Sequence, residues 1–189
     1  MLTPLIMYFP PVPDGLTNKW QQFVQERGVE ICSIGQLRSD KNLPMLVEAC
    51  ARSSRGLLIA GKDAGAISEI RAAISEFEGR AFIIDDYLPL EDLAAIITVV
   101  RTVALPYSVA SQSAVAELAH AYGAVTVGPA VGGLAEQLDV VVDSLEVADW
   151  AAALSALPAR QSLIGATSSP KPPSAATVES ILRVFRTAS

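Results

Sequence analysis

Short apolar runs recur along the central part of this chain, and each is followed by a turn. Such runs are typical of strands that a parallel sheet buries on both faces. They occupy residues 29–34, 56–60, 80–84, 102–105, 125–127 and 139–143. We therefore predict a sheet built from these segments.

Hydrophobic residues between the runs follow the helical spacing i, i+3, i+4. Leu43, Leu46, Val47 and Cys50 show this spacing in the first such segment. Predicted helices run from about residue 40, over 64–77 and 90–98, after residue 113, and over 147–157. Strands that alternate with helices predict an α/β fold, a Rossmann-like parallel sheet with helices on both faces.

The two ends of the chain differ in composition from this central part. Pro10, Pro11 and Pro13 indicate an extended lead through residue 18, because proline fits neither a central strand nor a helix interior. The predicted organisation is a proline-rich linker and lead-in helix at 1–28, a Rossmann-like domain at 29–158, a loop at 159–174 and a C-terminal helix at 175–189.

Composition narrows the class of protein. The chain has 189 residues, of which 51% are hydrophobic and 18% charged, as expected for one globular domain. A net charge of −6 argues against a surface that follows nucleic-acid phosphates. The apolar N-terminal stretch is short, broken by prolines and without the flanks of a signal peptide, so we expect a cytoplasmic protein that meets a membrane only through a partner.

Neither cysteine forms part of a metal-binding motif. Cys32 falls in a predicted strand and Cys50 in a predicted helix, without the CxxC spacing or a Cys/His cluster. We interpret both as buried core thiols, and no residue cluster calls for a metal or another cofactor.

Residues 103–136 carry the most informative chemistry. They read as strand, polar loop, helix, strand and glycine loop, with the loops about 20 residues apart, the spacing of a nucleotide-binding α/β unit. In the first loop, Ser111, Gln112 and Ser113 precede Ala114 at a helix start, where unpaired amides suit an anion. In the second, Gly132, Gly133 and Leu134 follow a strand, where glycine permits close backbone approach by a phosphate or sugar.

Two further loops after predicted strands offer ligand contacts. Gly35, Gln36, Arg38 and Lys41 place two cations beside a glycine turn, which suits a diphosphate, although a solvated loop at a helix start is the simpler explanation for this loop taken alone. Tyr87 and Leu88 follow the strand at 80–84, where an aromatic ring suits a base, while the acids before them suit a helix cap.

The remaining candidates are single residues. His120 lies in the middle of a predicted helix, where the sequence assigns it no Ser, Asp or Cys partner, so we interpret it as a surface or packing residue. Glu117 suits either ribose hydroxyls or an exposed helix face. The sequence contains neither the GxGxxG fingerprint after the first strand nor a P-loop.

Taken in order, these segments resemble the nucleotide-binding C-terminal domain of family 4, GT-B fold, retaining glycosyltransferases. The resemblance covers about residues 31–138 and rests on the following segments in this order: CSIGQL, KNLPMLVEA, LLIAG, FIIDDYLPLEDL, VALPY, SQSA, AYGAVTV and VGGLAE. It implies one half of a GT-B architecture that binds a UDP- or GDP-sugar as hexose donor.

The resemblance also implies roles for the candidate residues. Lys41 corresponds to the lysine that binds the diphosphate, and the loop 111–113 would hold its distal oxygens. Residues 132–134 would line the sugar side, and Tyr87 with Leu88 would bracket the base. The acceptor site of such enzymes lies in an N-terminal domain of similar size, so we expect a protein partner that supplies it.

Three positions depart from the pattern of that family. Gln36 stands where the family has arginine, and Ala110 and Leu118 stand where it has a pair of glutamates. A subgroup with Ser-Gln-Ser-Gly in this loop is similar to residues 111–114. The sequence leaves two hypotheses open: a donor-binding domain that lacks its acceptor domain, and a non-catalytic module of the same fold that binds a partner protein.

Overall fold

The fold is an α/β sandwich around one parallel sheet. The computed structural model of the chain describes residues 9, 11–77 and 79–158. Within them the six strands are β1 Val29–Ile34, β2 Gly56–Ala60, β3 Ala81–Ile84, β4 Thr102–Ala104, β5 Val125–Pro129 and β6 Val140–Val142. Every strand pair is parallel, and the order across the sheet is β3-β2-β1-β4-β5-β6.

Helices connect the strands and cover both faces of the sheet. They are α1 Asp14–Arg27, α2 Leu43–Arg52, α3 Ile67–Glu76, α4 Leu90–Val100, α5 Ala114–Ala121 and α6 Val147–Ala156, with short 3-10 helices at Ser39–Lys41 and Gly132–Gln137. The predicted Rossmann-like sheet is thereby confirmed. The predicted segments 159–174 and 175–189 lie outside the described residues.

Two hydrophobic cores lie on opposite sides of the sheet. One is formed by α1, α4 and α5 and contains Trp20, Val24 and Ile96, while the other is formed by α2, α3 and α6 and contains Trp150 and Leu46. The strands supply side chains to both cores alternately, since successive residues of a strand point to opposite faces. Cys32 and Cys50 are free, buried thiols, as predicted.

Three helix starts differ from the prediction. Helix α1 begins at Asp14, so the extended lead ends earlier than residue 18, because Pro13 takes the N-cap position and no later proline interrupts the helix. Helix α2 begins at Leu43 after the 3-10 turn, which places Pro44 in its first turn. Helix α3 begins at Ile67, because the Asp63 carboxylate accepts hydrogen bonds from the amides of residues 65–67 and holds them in a turn.

None of the helices among the described residues combines the length and apolar character that a bilayer crossing requires.

Candidate functional site

A cavity of about 360 Å³ lies at the carboxyl ends of the two central strands, β1 and β4. The connections that follow these strands run in opposite directions across the sheet, which is the place where open α/β sheets bind ligands. Its lining consists of Gly35, Gln36, Arg38, Asp40, Lys41, Tyr107, Val109, Ala110, Ser111, Gln112, Ser113, Ala114 and Val115. The cavity thus joins the two predicted loops that follow β1 and β4.

A glycine turn makes room for the lysine of this cavity. Gly35 has a φ of +99°, and a Cβ at this position would lie 3.0 Å from the Lys41 Nζ atom. A residue with a side chain would therefore be strained and would crowd the ammonium group. Lys41 itself ends the 3-10 turn Ser39–Lys41, which follows β1 and directs its side chain back toward the strand end.

Lys41 is buried and has few partners. Its residue exposure is only 8%, and its Nζ donates one long hydrogen bond of 3.4 Å to the Ile34 carbonyl oxygen. The ammonium also lies 5.2 Å from the centre of the Tyr107 ring. No carboxylate among the described residues lies within salt-bridge distance of it, which is unusual for a buried lysine.

Burial and, to a smaller extent, the nearby Arg38 guanidinium together lower the pKa of Lys41 to about 8, although Asp40 opposes this change. The site therefore holds an ammonium that loses solvation without gaining a carboxylate. An anion in the cavity would supply the missing charge.

Arg38 and Asp40 form an ion pair at the rim of the cavity. Arg38 donates from Nε to one Asp40 carboxylate oxygen at 2.9 Å and from Nη2 to the other at 2.7 Å. The hydrogen bond from Arg38 holds the pKa of Asp40 below its usual range, although burial opposes this. Sequence reasoning missed Asp40, which reads there as an ordinary helix-start acid.

The start of α5 forms the opposite wall. Ser113 is its N-cap, and the Ser113 hydroxyl accepts the amide of Ala116 at 3.2 Å. The amides of Ala114 and Val115 come before the first intrahelical hydrogen bond and have no partner among the described residues. Both residues line the cavity, so these two amides supply anion-binding donors near Lys41.

Gln137 fixes this helix start from behind. Its side-chain oxygen accepts the Ser113 amide at 2.7 Å, and its Nε2 donates to the Glu117 carboxylate at 2.7 Å. The Glu117 carboxylate therefore accepts a hydrogen bond from the buried Gln137 side chain, and Glu117 does not line the cavity. Gln137 carried no sequence signal, because its partners lie 20 and 24 residues away.

Three hydrogen bonds tie the two walls to each other. The Asp40 carbonyl accepts from the amide of Ser108 at 2.9 Å and from its hydroxyl at 3.1 Å. The Asn42 side chain donates to the Pro106 carbonyl at 3.0 Å. Tyr107 lies between these contacts and is buried beneath the cavity, where burial raises its pKa and a hydrogen bond with Ser113 opposes that rise.

Gly132 and Gly133 lie behind the polar loop and outside the cavity lining. Gly132 has a φ of +49°, and a Cβ there would lie 2.0 Å from the Ala110 carbonyl oxygen. A Cβ on Gly133 would lie 2.3 Å from the Ser111 carbonyl oxygen. These glycines allow the second loop to pack directly against the backbone of the first, and Leu134 is buried in the core.

Tyr87 and Leu88 lie away from the cavity lining, because they follow β3 at the edge of the sheet. The Tyr87 side chain is exposed, and Leu88 packs against the core formed by α1, α4 and α5. The structure therefore brings together the loops after β1 and β4 and leaves this third predicted loop apart.

His120 has an acidic partner that the sequence did not reveal. Its Nε2 lies 3.2 Å from the Asp139 carboxylate and 3.1 Å from the Thr126 hydroxyl. Burial raises the pKa of Asp139, but hydrogen bonds from His120 and Thr126 outweigh it and lower the pKa to about 2. Since these residues lie near the beginnings of β5 and β6, the cluster is remote from the cavity.

No cluster of three or more candidate metal ligands occurs in the part of the chain that the structure describes.

The fold of this chain is similar to that of solved GT-B glycosyltransferases. No family model matches the sequence, and no curated protein matches it. The fold is nevertheless shared with solved glycosyltransferase structures. At identities of 14 to 15%, this likeness concerns the fold alone.

Three of these structures illustrate the match. The E. coli trehalose-6-phosphate synthase bound with UDP-2-fluoro glucose has a TM-score of 0.61 at 15% identity over 94% of this chain and 44% of that one. The UDP-forming α,α-trehalose-phosphate synthase from Burkholderia xenovorans, in complex with glucose-6-phosphate, has a TM-score of 0.61 at 14% identity. The match covers 92% of this chain and 45% of that one. AviGT4, a glycosyltransferase involved in avilamycin A biosynthesis, has a TM-score of 0.56 at 14% identity. The match covers 87% of this chain and 53% of that one. The chain thus spans about half the length of these structures or less.

Proposed function

We propose that this chain is the donor-binding domain of a glycosyltransferase, and that its cavity binds the diphosphate of a UDP- or GDP-sugar. The observation that carries the proposal is the Lys41 ammonium, which is buried at the cavity without a carboxylate partner among the described residues. Ala114 and Val115 line the same cavity, and their amides have no partner among the described residues. A diphosphate would satisfy the ammonium and the amides together.

The same groups suit the chemistry of hexose transfer. When the bond between sugar and diphosphate breaks, negative charge grows on the leaving nucleoside diphosphate. Lys41 and the amides of Ala114 and Val115 would stabilise that charge from fixed positions. Under this proposal the acceptor is bound by a domain outside the matched half, supplied by a protein partner. The family resemblance assigns Tyr87 and Leu88 to the base and residues 132–134 to the sugar, but these residues lie outside the cavity lining, so the proposal rests on the loops after β1 and β4 alone.

Isothermal titration of the protein with uridine diphosphate and guanosine diphosphate tests the proposal. We expect binding to the natural sequence and a loss of at least about tenfold in Lys41→Met, since one charge-assisted contact contributes roughly 1.5–3 kcal/mol. Lys62→Met is the matched control, because Lys62 is an exposed lysine that follows the adjacent strand β2 and lies outside the cavity lining. Affinity that is equal in the two variants would contradict the proposal.

A second candidate function is a non-catalytic module of the same fold that binds a partner protein. The specific observation in its favour is the absence of acidic residues at Ala110, which lines the cavity, and at Leu118, which is buried in the core. The absence of heat in every nucleotide titration would favour this candidate. Binding without sugar transfer, even with an acceptor domain present, would favour a site that has kept its ligand and lost its chemistry.

A further inference from the structure

The cavity contains a second cation besides Lys41. This cation is Arg38, and its charge is already balanced by Asp40. The charged side chains of the lining are Arg38, Lys41 and Asp40, which give a net charge of +1 when Lys41 is protonated. The Arg38 side chain is 51% exposed, and that of Asp40 is 31% exposed. A ligand that enters the cavity therefore reaches both members of the pair.

The two members of the pair are held unequally. The Asp40 main chain is tied to the opposite wall, since its carbonyl accepts both hydrogen bonds from Ser108, and its short side chain is less exposed than the longer Arg38 side chain. The Arg38 guanidinium, in contrast, makes its hydrogen bonds only to the Asp40 carboxylate among the described residues. Arg55 shows the alternative, because it contacts Glu30 and also the carbonyls of Ser155 and Leu157. Arg38 is thus the partner that is free to exchange one bidentate anion for another.

A diphosphate presents the same geometry as a carboxylate to a guanidinium and carries more charge. We propose that Asp40 is the counter-ion of Arg38 when no ligand is bound, and that the diphosphate of the ligand displaces Asp40 and pairs with Arg38 instead. Arg38 then acts as the second cation of the site, which the uncharged Gln36 side chain does not provide. The inference rests on the proposed function and assigns Arg38 and Asp40 roles in setting affinity.

If Asp40 competes with the ligand for Arg38, removal of the Asp40 carboxylate should strengthen binding. Asp40→Asn keeps the shape of the side chain and frees Arg38, so it should tighten uridine diphosphate binding about threefold to tenfold at low salt. Arg38→Gln should weaken binding by a similar factor. In the double variant, Asp40→Asn should lose most of its effect, because the arginine that it frees is gone. All are measured by isothermal titration, with thermal unfolding to verify the fold.

Glu48→Gln is the matched control for charge. It also removes one acid from an ion pair, with Arg52 on α2, but Glu48 does not line the cavity. We expect a change of less than about twofold. An effect equal to that of Asp40→Asn would overturn the inference, because it would reduce the gain to net charge alone.

The double-variant cycle separates the exchange from simple repulsion. If Asp40→Asn tightens binding equally with and without Arg38, Asp40 merely repels the ligand and the exchange is wrong. If Lys41→Met weakens binding while Arg38→Gln and Asp40→Asn leave it unchanged, this inference fails and the proposed function stands. If the natural sequence binds uridine diphosphate, guanosine diphosphate and inorganic pyrophosphate not at all, both fail.

Discussion

Lys41 occupies a buried position that lowers the stability of the fold. Since burial and Arg38 lower its pKa from 10.5 to about 8, the folded state holds the proton more weakly than the unfolded state does. Charged Lys41 therefore destabilises the fold at neutral pH. A site with an unmatched buried cation is expected where affinity for an anion has been favoured over stability.

Replacement of Lys41 by methionine should accordingly stabilise the protein, while under the proposed function it weakens diphosphate binding. Methionine keeps the length of the buried stem, and we expect a gain in unfolding free energy on the order of 2 kcal/mol at pH 7. The sign follows from linkage: the gain is fully present below pH 8 and shrinks as pH rises toward 10.5, where the unfolded lysine also loses its proton. Urea unfolding at pH 7 and pH 10 measures it, and a destabilised variant would contradict it.

Proton uptake on binding is the second expectation at this scale. A diphosphate beside Lys41 raises the pKa of the ammonium, so near pH 8 the complex binds a fraction of a proton that the free protein lacks. Affinity should then fall as pH rises above 8. Titrations at pH 8 in two buffers of different ionisation enthalpy should give different apparent heats, whereas in Lys41→Met that difference should shrink markedly.

At the scale of elements, the glycine segment Gly132–Gln137 packs behind the loop that lines the cavity. Gly132→Ala should destabilise the protein by roughly 1–3 kcal/mol, because the added Cβ meets the Ala110 carbonyl and φ is positive. Gly15→Ala is the control: Gly15 lies in α1 with open space around its Cβ, and the change should stabilise by up to about 0.5 kcal/mol. Unfolding in urea compares the two, and an unchanged stability in Gly132→Ala would contradict this packing.

The spacing of apolar residues was enough to predict the strands, whereas hydrogen bonds that this spacing does not reveal determined where the helices begin. Residues 29–34 and 56–60 form strands as predicted, because an apolar run that is buried on both faces has few alternatives. Helix α3 begins three residues later than predicted, since the Asp63 carboxylate holds the preceding amides in a turn. That competition between a cap and a helix does not appear in the spacing of apolar residues.

At the scale of the whole molecule, the order of the strands decided which loops meet. The segments after β1 and β4 meet because these strands are neighbours, and the Tyr87 loop stays apart because β3 is an edge strand. Strand order is a property of the packed sheet, so the sequence predicted Lys41 and the loop 111–113 without showing that Asp40 and Tyr107 would join them. Gln137 was missed for the same reason.

The two tryptophans test whether the molecule unfolds as one unit. Trp20 lies in α1 and donates to Asp92 at 2.7 Å, while Trp150 lies in the core on the other side of the sheet. We expect single-tryptophan variants, Trp20→Phe and Trp150→Phe, each to show one unfolding transition by fluorescence that coincides with loss of helix by circular dichroism. An earlier transition reported by Trp20 alone would mean that α1 is a separable lead and that the boundary predicted at residue 29 marks a unit of unfolding.

The hydrogen bonds between the cavity walls also have a kinetic meaning. They join residues that are 64 and 68 positions apart in the chain and lie beside the paired strands β1 and β4, so we expect the walls to meet together with this strand pairing. Such distant closures come late in folding, because the chain entropy of the loop is lost before the contact repays it. A ligand of this cavity then acts mainly on the finished domain: it prolongs the lifetime of the folded state and leaves the speed of its formation almost unchanged.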